Sequence, residues 1–84
     1  GIEGTEGTWD GYSIHITGKV KNNSNSNLNY VEIRFSLYDE QGNMVGSALA
    51  NEFNLDANGT WSFDAIGISK TQVDSYKCTE LNYN

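Results

Sequence analysis

The stretch Phe35-Ser36-Leu37-Tyr38-Asp39 is where the fold is most legible. It closes a longer run, residues 28–38, in which Val31, Ile33, Phe35 and Leu37 alternate with Tyr30, Glu32, Arg34, Ser36 and Tyr38. Alternation with period two puts the first set on one face of a strand and the second on the other. Both sets are rich in residues that suit a pleated surface. Asp39-Glu40-Gln41-Gly42-Asn43 then reads as a turn, with a glycine able to take positive φ. The chain from Met44 onward is expected to pair back antiparallel.

The same period appears on the N-terminal side. In residues 12–21, Tyr12, Ile14, Ile16, Gly18 and Val20 share one face and Ser13, His15, Thr17, Lys19 and Lys21 the other, which is the pattern of a half-buried strand. Asn22-Asn23-Ser24-Asn25-Ser26-Asn27 joins the two runs as a loop, because its side chains bond readily to their own backbone. The glycine-rich, acidic opening Gly1-Ile2-Glu3-Gly4-Thr5-Glu6-Gly7 has no periodicity. Residues 1–8 therefore read as a linker or expression remnant, and 9–84 as one domain.

Beyond the turn the pattern is less regular. Ala48, Leu49 and Ala50 interrupt the alternation of residues 44–53 and leave open a bulge, a strand that changes sheets, or a helix. Leu55-Asp56-Ala57-Asn58-Gly59 is a turn signal, followed by a strand in which Trp61, Phe63 and Ala65 point one way. Residues 66–71 read as loop, and 73–81 as a last strand with Tyr76 and Cys78 on one face. Five or more short strands without an amphipathic helix predict an all-β fold, a small antiparallel immunoglobulin-like β-sandwich.

Composition narrows the functional classes. The 84 residues make about one small domain, which buries roughly 60% of its unfolded surface. Five basic residues against eleven acidic ones give a net charge of −6, the wrong sign for a general nucleic-acid binder or for adhesion to anionic lipid. One cysteine excludes an intradomain disulfide, and no apolar run approaches the roughly 20 residues of a membrane helix. A chain opening at Gly1 rather than at an initiator methionine reads as a domain cut from a longer protein.

At Phe35, Leu37, Tyr38 and Asp39 the chain resembles the FxLYD domain family. The likeness extends to Ile16, Gly18, Val20 and Asn22 before the signature, to Val31 and Gly42 around it, and to Leu55, Gly59, Trp61 and Phe63 after it. It implies an immunoglobulin-like sandwich and a prokaryotic protein, often secreted, lipid-anchored or held at the cell surface, with this unit as an accessory domain. It carries no catalytic, metal or cofactor-binding residues, so no cofactor is implied and the partner is expected to be a protein or cell-wall component. The signature also has a structural account. Phe35 and Leu37 fill the core, Asp39 accepts bonds from turn amides, and Tyr38 covers the sheet edge or packs on Arg34 or Glu32.

Chemistry-bearing side chains are few. His15 is the only histidine and has no activating partner in the local sequence, so it reads as a solvated strand residue. Cys78 is expected to be buried and inert. One histidine and one cysteine are too few for a closed zinc site, and Asp56-Ala57-Asn58-Gly59-Thr60 opens like a calcium loop but lacks its later ligands. Asn22-Asn23-Ser24 and Asn58-Gly59-Thr60 are glycosylation sequons in expected loops. Trp9, Tyr12 and Tyr83 lie near the ends of the domain and are the expected contact surface. If a strand edge is used instead, loop 22–27 and its neighbours are the expected place. The functional expectation is a non-catalytic accessory module of an envelope or secreted protein, a spacer or contact surface. The alternative is a small intracellular regulator or enzyme inhibitor, which the lack of disulfides permits.

Overall fold

A computed structural model describes residues 2–84. Six strands run in chain order: β1 (Ile2–Trp9), β2 (Ser13–Lys21), β3 (Leu28–Tyr38), β4 (Met44–Leu55), β5 (Thr60–Ile68) and β6 (Ser75–Tyr83). All pairings are antiparallel, and the order across the single curled sheet is β1-β2-β5-β4-β3-β6. The all-β expectation holds.

The sheet has two tightly paired halves, β1-β2-β5 and β4-β3-β6. Between them only Leu49 and Ile66 are paired. The curl turns the inner faces of the halves toward one another, so Phe35 of β3 stacks on Phe63 of β5 with ring centroids 5.9 Å apart. At the rim the two outermost strands also meet: the Tyr76 ring of β6 lies where a Cβ on Gly7 of β1 would stand, 2.6 Å from its Cε2. Only a glycine lets the ring settle there.

The core follows the alternation read from the sequence. Ile14, Ile16 and Val20 of β2 and Val31, Ile33, Phe35 and Leu37 of β3 are buried together with Ala48, Leu55, Phe63, Ala65 and Val73. Four of the five largest fully buried side chains lie on β3, a strand paired on both sides, which makes it the centre of the fold. Burying each such side chain contributes about 1.5–3 kcal/mol.

Five expectations are corrected. Residues 2–9 form strand β1 rather than a linker, with Ile2 and Trp9 packed on the core and the intervening residues exposed. β4 is one continuous strand and not a helix, and its irregularity falls at Leu37/Tyr38, where Met44 and Gly46 are partners and Val45 is extra. β5 continues through Ile66 to Ile68, because Gly67 faces inward between Leu37 and Ala48 while the two isoleucines point out. Ser36 faces outward by parity yet is 92% buried, being small and paired on both sides on the central strand. Cys78 is exposed, so the thiol is not buried, although it stands opposite Phe35 in the same register that sets Tyr76 opposite Leu37, next to the register shift at Arg34/Phe35.

Candidate functional site

The two ends of the molecule, which spans 42 Å along its longest axis, differ in chemistry. Ile2 pairs with Val20, and Tyr83 with Val31, so both lie at the end that carries loop 22–27. Trp9 pairs with Ile14 at the other end of β2, beside exposed Tyr12. Six residue steps of strand at about 3.3 Å each put roughly 20 Å between these ends of β2. The expected contact surface of Trp9, Tyr12 and Tyr83 is therefore not one surface. Trp9 is moreover half-buried against the core.

Tyr83 stands instead over a groove of about 380 Å³, walled by Val20, Leu28, Val31 and Leu81 and rimmed by Lys21 and Asn23. Its floor is built by Asn22, which is 96% buried. The Asn22 side-chain amide donates to the carbonyls of Ser26 at 2.8 Å and Asp56 at 3.1 Å, with that of Leu55 at 3.4 Å. Its Oδ1 accepts from the Ser24 N–H and hydroxyl. The residue after β2 thus ties loop 22–27 to turn 56–59. That loop is stitched inward and offers no strand edge, contrary to the strand-edge expectation placed on it. Asn22, the acceptor of the first sequon, has its amide enclosed, whereas Asn58 of the second is exposed.

The signature residues hold the turn and the core. Asp39 Oδ1 accepts from the N–H groups of Gln41 and Asn43 at 3.0 and 2.9 Å, and Oδ2 from the Asn43 side chain at 3.3 Å. The Asn43 amide, followed by its side chain and the Gln41 amide, holds the carboxyl below its ordinary range. Asp10 is lowered in the same way by Ser13 and Tyr12. Phe35 and Leu37 are interior. Tyr38 does not meet Glu32, whose carboxylate takes the Tyr30 hydroxyl at 2.8 Å and Arg34 Nε at 2.9 Å. Tyr38 instead lies between Met44 and Ser75, and its carbonyl accepts from the Asp74 N–H at 2.8 Å.

Fold contacts give His15 the partner that its sequence neighbourhood lacks. Its Nδ1 lies 3.1 Å from Asp64 Oδ1, on the open outer face of the β2–β5 pair. An oriented imidazole needs a nucleophile or a substrate cleft to act on. Ser13, two residues along the strand on the same face, donates to Asp10. Cys78 lies on β6 in the other half of the sheet. Among the described residues no group of three or more His, Cys, Asp or Glu is placed to hold a metal ion. The sequence 56–60 is a tight turn in which the Gly59 N–H donates to the Asp56 carbonyl at 2.9 Å.

Sequence reading missed an apolar ridge on β4 and β5. Met44, Leu49, Phe53, Ile66 and Ile68 are five of the seven large hydrophobic residues left exposed. The available signal was Ile66-Gly67-Ile68, which continues the alternation of β5 once glycine is allowed an interior position. No family model, curated protein or solved structure matches the chain.

Proposed function

We propose that this chain is a non-catalytic, immunoglobulin-like accessory module of a prokaryotic cell-envelope or secreted protein, acting as a spacer or as a contact surface for protein or cell-wall material. The observation that carries this reading is the arrangement of two three-stranded halves over one core, stacked through Phe35 and Phe63 and paired to each other only at Leu49 and Ile66. A β-sandwich is that arrangement with the last inter-sheet pair removed. The FxLYD likeness supports it at the residue level, since Asn22, Phe35, Leu37 and Asp39 each hold the fold together. The dispersal of His15 and Cys78 to different halves supports a non-catalytic role.

The test is fractionation of cells producing the native parent protein, with mass spectrometry of its mature N-terminus. A processed or lipidated N-terminus in the envelope or medium is the expected result. A soluble cytoplasmic product overturns this reading in favour of the intracellular regulator or inhibitor.

A further inference from the structure

The β4–β5 seam has a geometry that the other strand edges lack. β1 and β6 are the outer edges of the sheet, and each carries a register shift, at Glu3/Glu6 and opposite Arg34/Phe35. Irregularities of this kind, with charges such as Glu3 and Glu6, blunt an edge against adding another strand. β5 is different. Its register with β2 is unbroken over nine pairs from Ser13↔Ile68 to Lys21↔Thr60, while its other side is paired at Ile66 alone.

Backbone direction follows from the hydrogen bonds. The Asn22 N–H donates to the Gly59 carbonyl, which continues the β2–β5 ladder and assigns the odd-numbered residues of β5 to β2. Alternation then aims the N–H and C=O groups of Thr60, Ser62 and Asp64 away from β2, into the gap before β4. Across that gap the Phe53 N–H is taken up at 2.9 Å by the carboxylate of its own neighbour, Glu52.

The surroundings specify the ligand. The gap of about 510 Å³ is lined by Phe53, Trp61 and Leu55 and by the acidic residues Glu52 and Asp56, with no basic side chain in the lining. Asp64 adds a third carboxylate at the end of the edge. Lys19 and Lys21 stand one strand further in, opposite Ser62 and Thr60. The exposed ridge of Leu49, Phe53, Ile66 and Ile68 runs beside it. A second copy of this chain, at net charge −6, meets these carboxylates with like charge.

We propose that residues 60–64 of β5 accept an extended, lysine- or arginine-bearing peptide as an added strand, its apolar side chains on the outer face beside Phe53 and Ile66 and its cations on the opposite face toward Glu52 and Asp56. The proposal rests on the contact-module reading and names the place and the partner chemistry. Main-chain pairing supplies affinity in such a complex, and the flanking side chains supply selection.

The experiment is an NMR titration of the 15N-labelled chain at low salt with acetyl-Lys-Val-Lys-Ile-Lys-Val-Lys-amide, and with its glutamate counterpart. Expected are saturable shifts at Asn51, Phe53 and residues 60–64 with the lysine peptide, and slowed hydrogen exchange at Thr60, Ser62 and Asp64. The double variant E52K/D56K, checked for an otherwise unchanged spectrum, is expected to bind at least tenfold more weakly. Equal binding of the glutamate peptide, shifts centred on β1, β6 or the Tyr83 groove, or no saturable shift overturns the proposal. Shifts in the groove do so while leaving the contact-module reading intact. A cytoplasmic parent protein with shifts on β5 does the reverse.

Discussion

At the scale of single residues, the fold depends on polar and glycine positions as much as on its apolar ones. Asn22 satisfies carbonyls from two loops with one amide, so Asn22→Ala leaves buried acceptors without donors, each worth about 1–3 kcal/mol. The expected loss is about 3 kcal/mol by urea denaturation. Asn22→Asp is expected to be at least as harmful, because a carboxylate oxygen would face the Ser26 and Asp56 carbonyls. Glycine substitutions separate a rigid neighbour from a mobile one. A Cβ at Gly67 would stand 2.6 Å from the Ser47 carbonyl oxygen and 2.8 Å from Leu37, whereas at Gly7 it meets only the turnable ring of Tyr76. Gly67→Ala is therefore expected to cost about 3 kcal/mol and Gly7→Ala about 1 kcal/mol. Equal costs in the same denaturation series would contradict the packing described.

At the scale of elements, the Asp39 turn makes stability depend on pH. Its carboxyl is held below its ordinary value of 3.8 by turn amides in the folded chain. A depressed folded pKa means stability that is fully present above the ordinary value and lost as pH falls through the lowered one. Asp39→Asn keeps an acceptor for the backbone amides but does not titrate. Its acid-unfolding limb below pH 3.8 is thus expected to be shallower than that of the parent chain, measured as urea midpoint against pH. Legibility also varied by element. β2 and β3 were readable because one face of each is continuously apolar. β1 was not, since only Ile2 and Trp9 of its eight residues reach the core and the rest is held by backbone pairing, which leaves no pattern in side chains. The end of β5 was lost because its interior position is a glycine and its exposed positions are isoleucines, an inversion of the usual signal. Cys78 was expected in the interior because its parity matches Tyr76, yet on the edge strand β6, beside a register shift, that parity does not bring burial. The candidate site suffered most: Leu49, Phe53 and Ile66 are ordinary core types, and only the strand register shows that they point to the outer face.

At the scale of the whole molecule, two halves joined by one strand pair must be held by what lies between them. Backbone bonds tie β1, β2 and β5 together, and β4, β3 and β6 together, but across the seam the ladder holds only Leu49 and Ile66. Cohesion between the halves thus falls to the shared core, where the Phe35 ring stacks on Phe63 and meets the edge of Tyr76 at 5.7 Å. If the halves were separately stable, truncating Phe35 would loosen one and spare the other. Neither has a core of its own, however, because the inner faces of β2 and β5 are covered by residues of β3 and β4. Unfolding is therefore expected to be a single transition with all six strands lost together. Phe35→Ala, which removes the central ring, typically costs about 3–5 kcal/mol. A domain of this size has only about 5 kcal/mol or a little more in total, so the variant is expected to be largely unfolded at 25 °C. Leu49→Ser, at the seam but on its exposed side, is expected to cost less than about 1 kcal/mol. Hydrogen exchange distinguishes the cases. Uniform loss of protection in β2 and β3 of Phe35→Ala fits one cooperative core, and protection retained in β1, β2 and β5 alone would show that the halves fold independently.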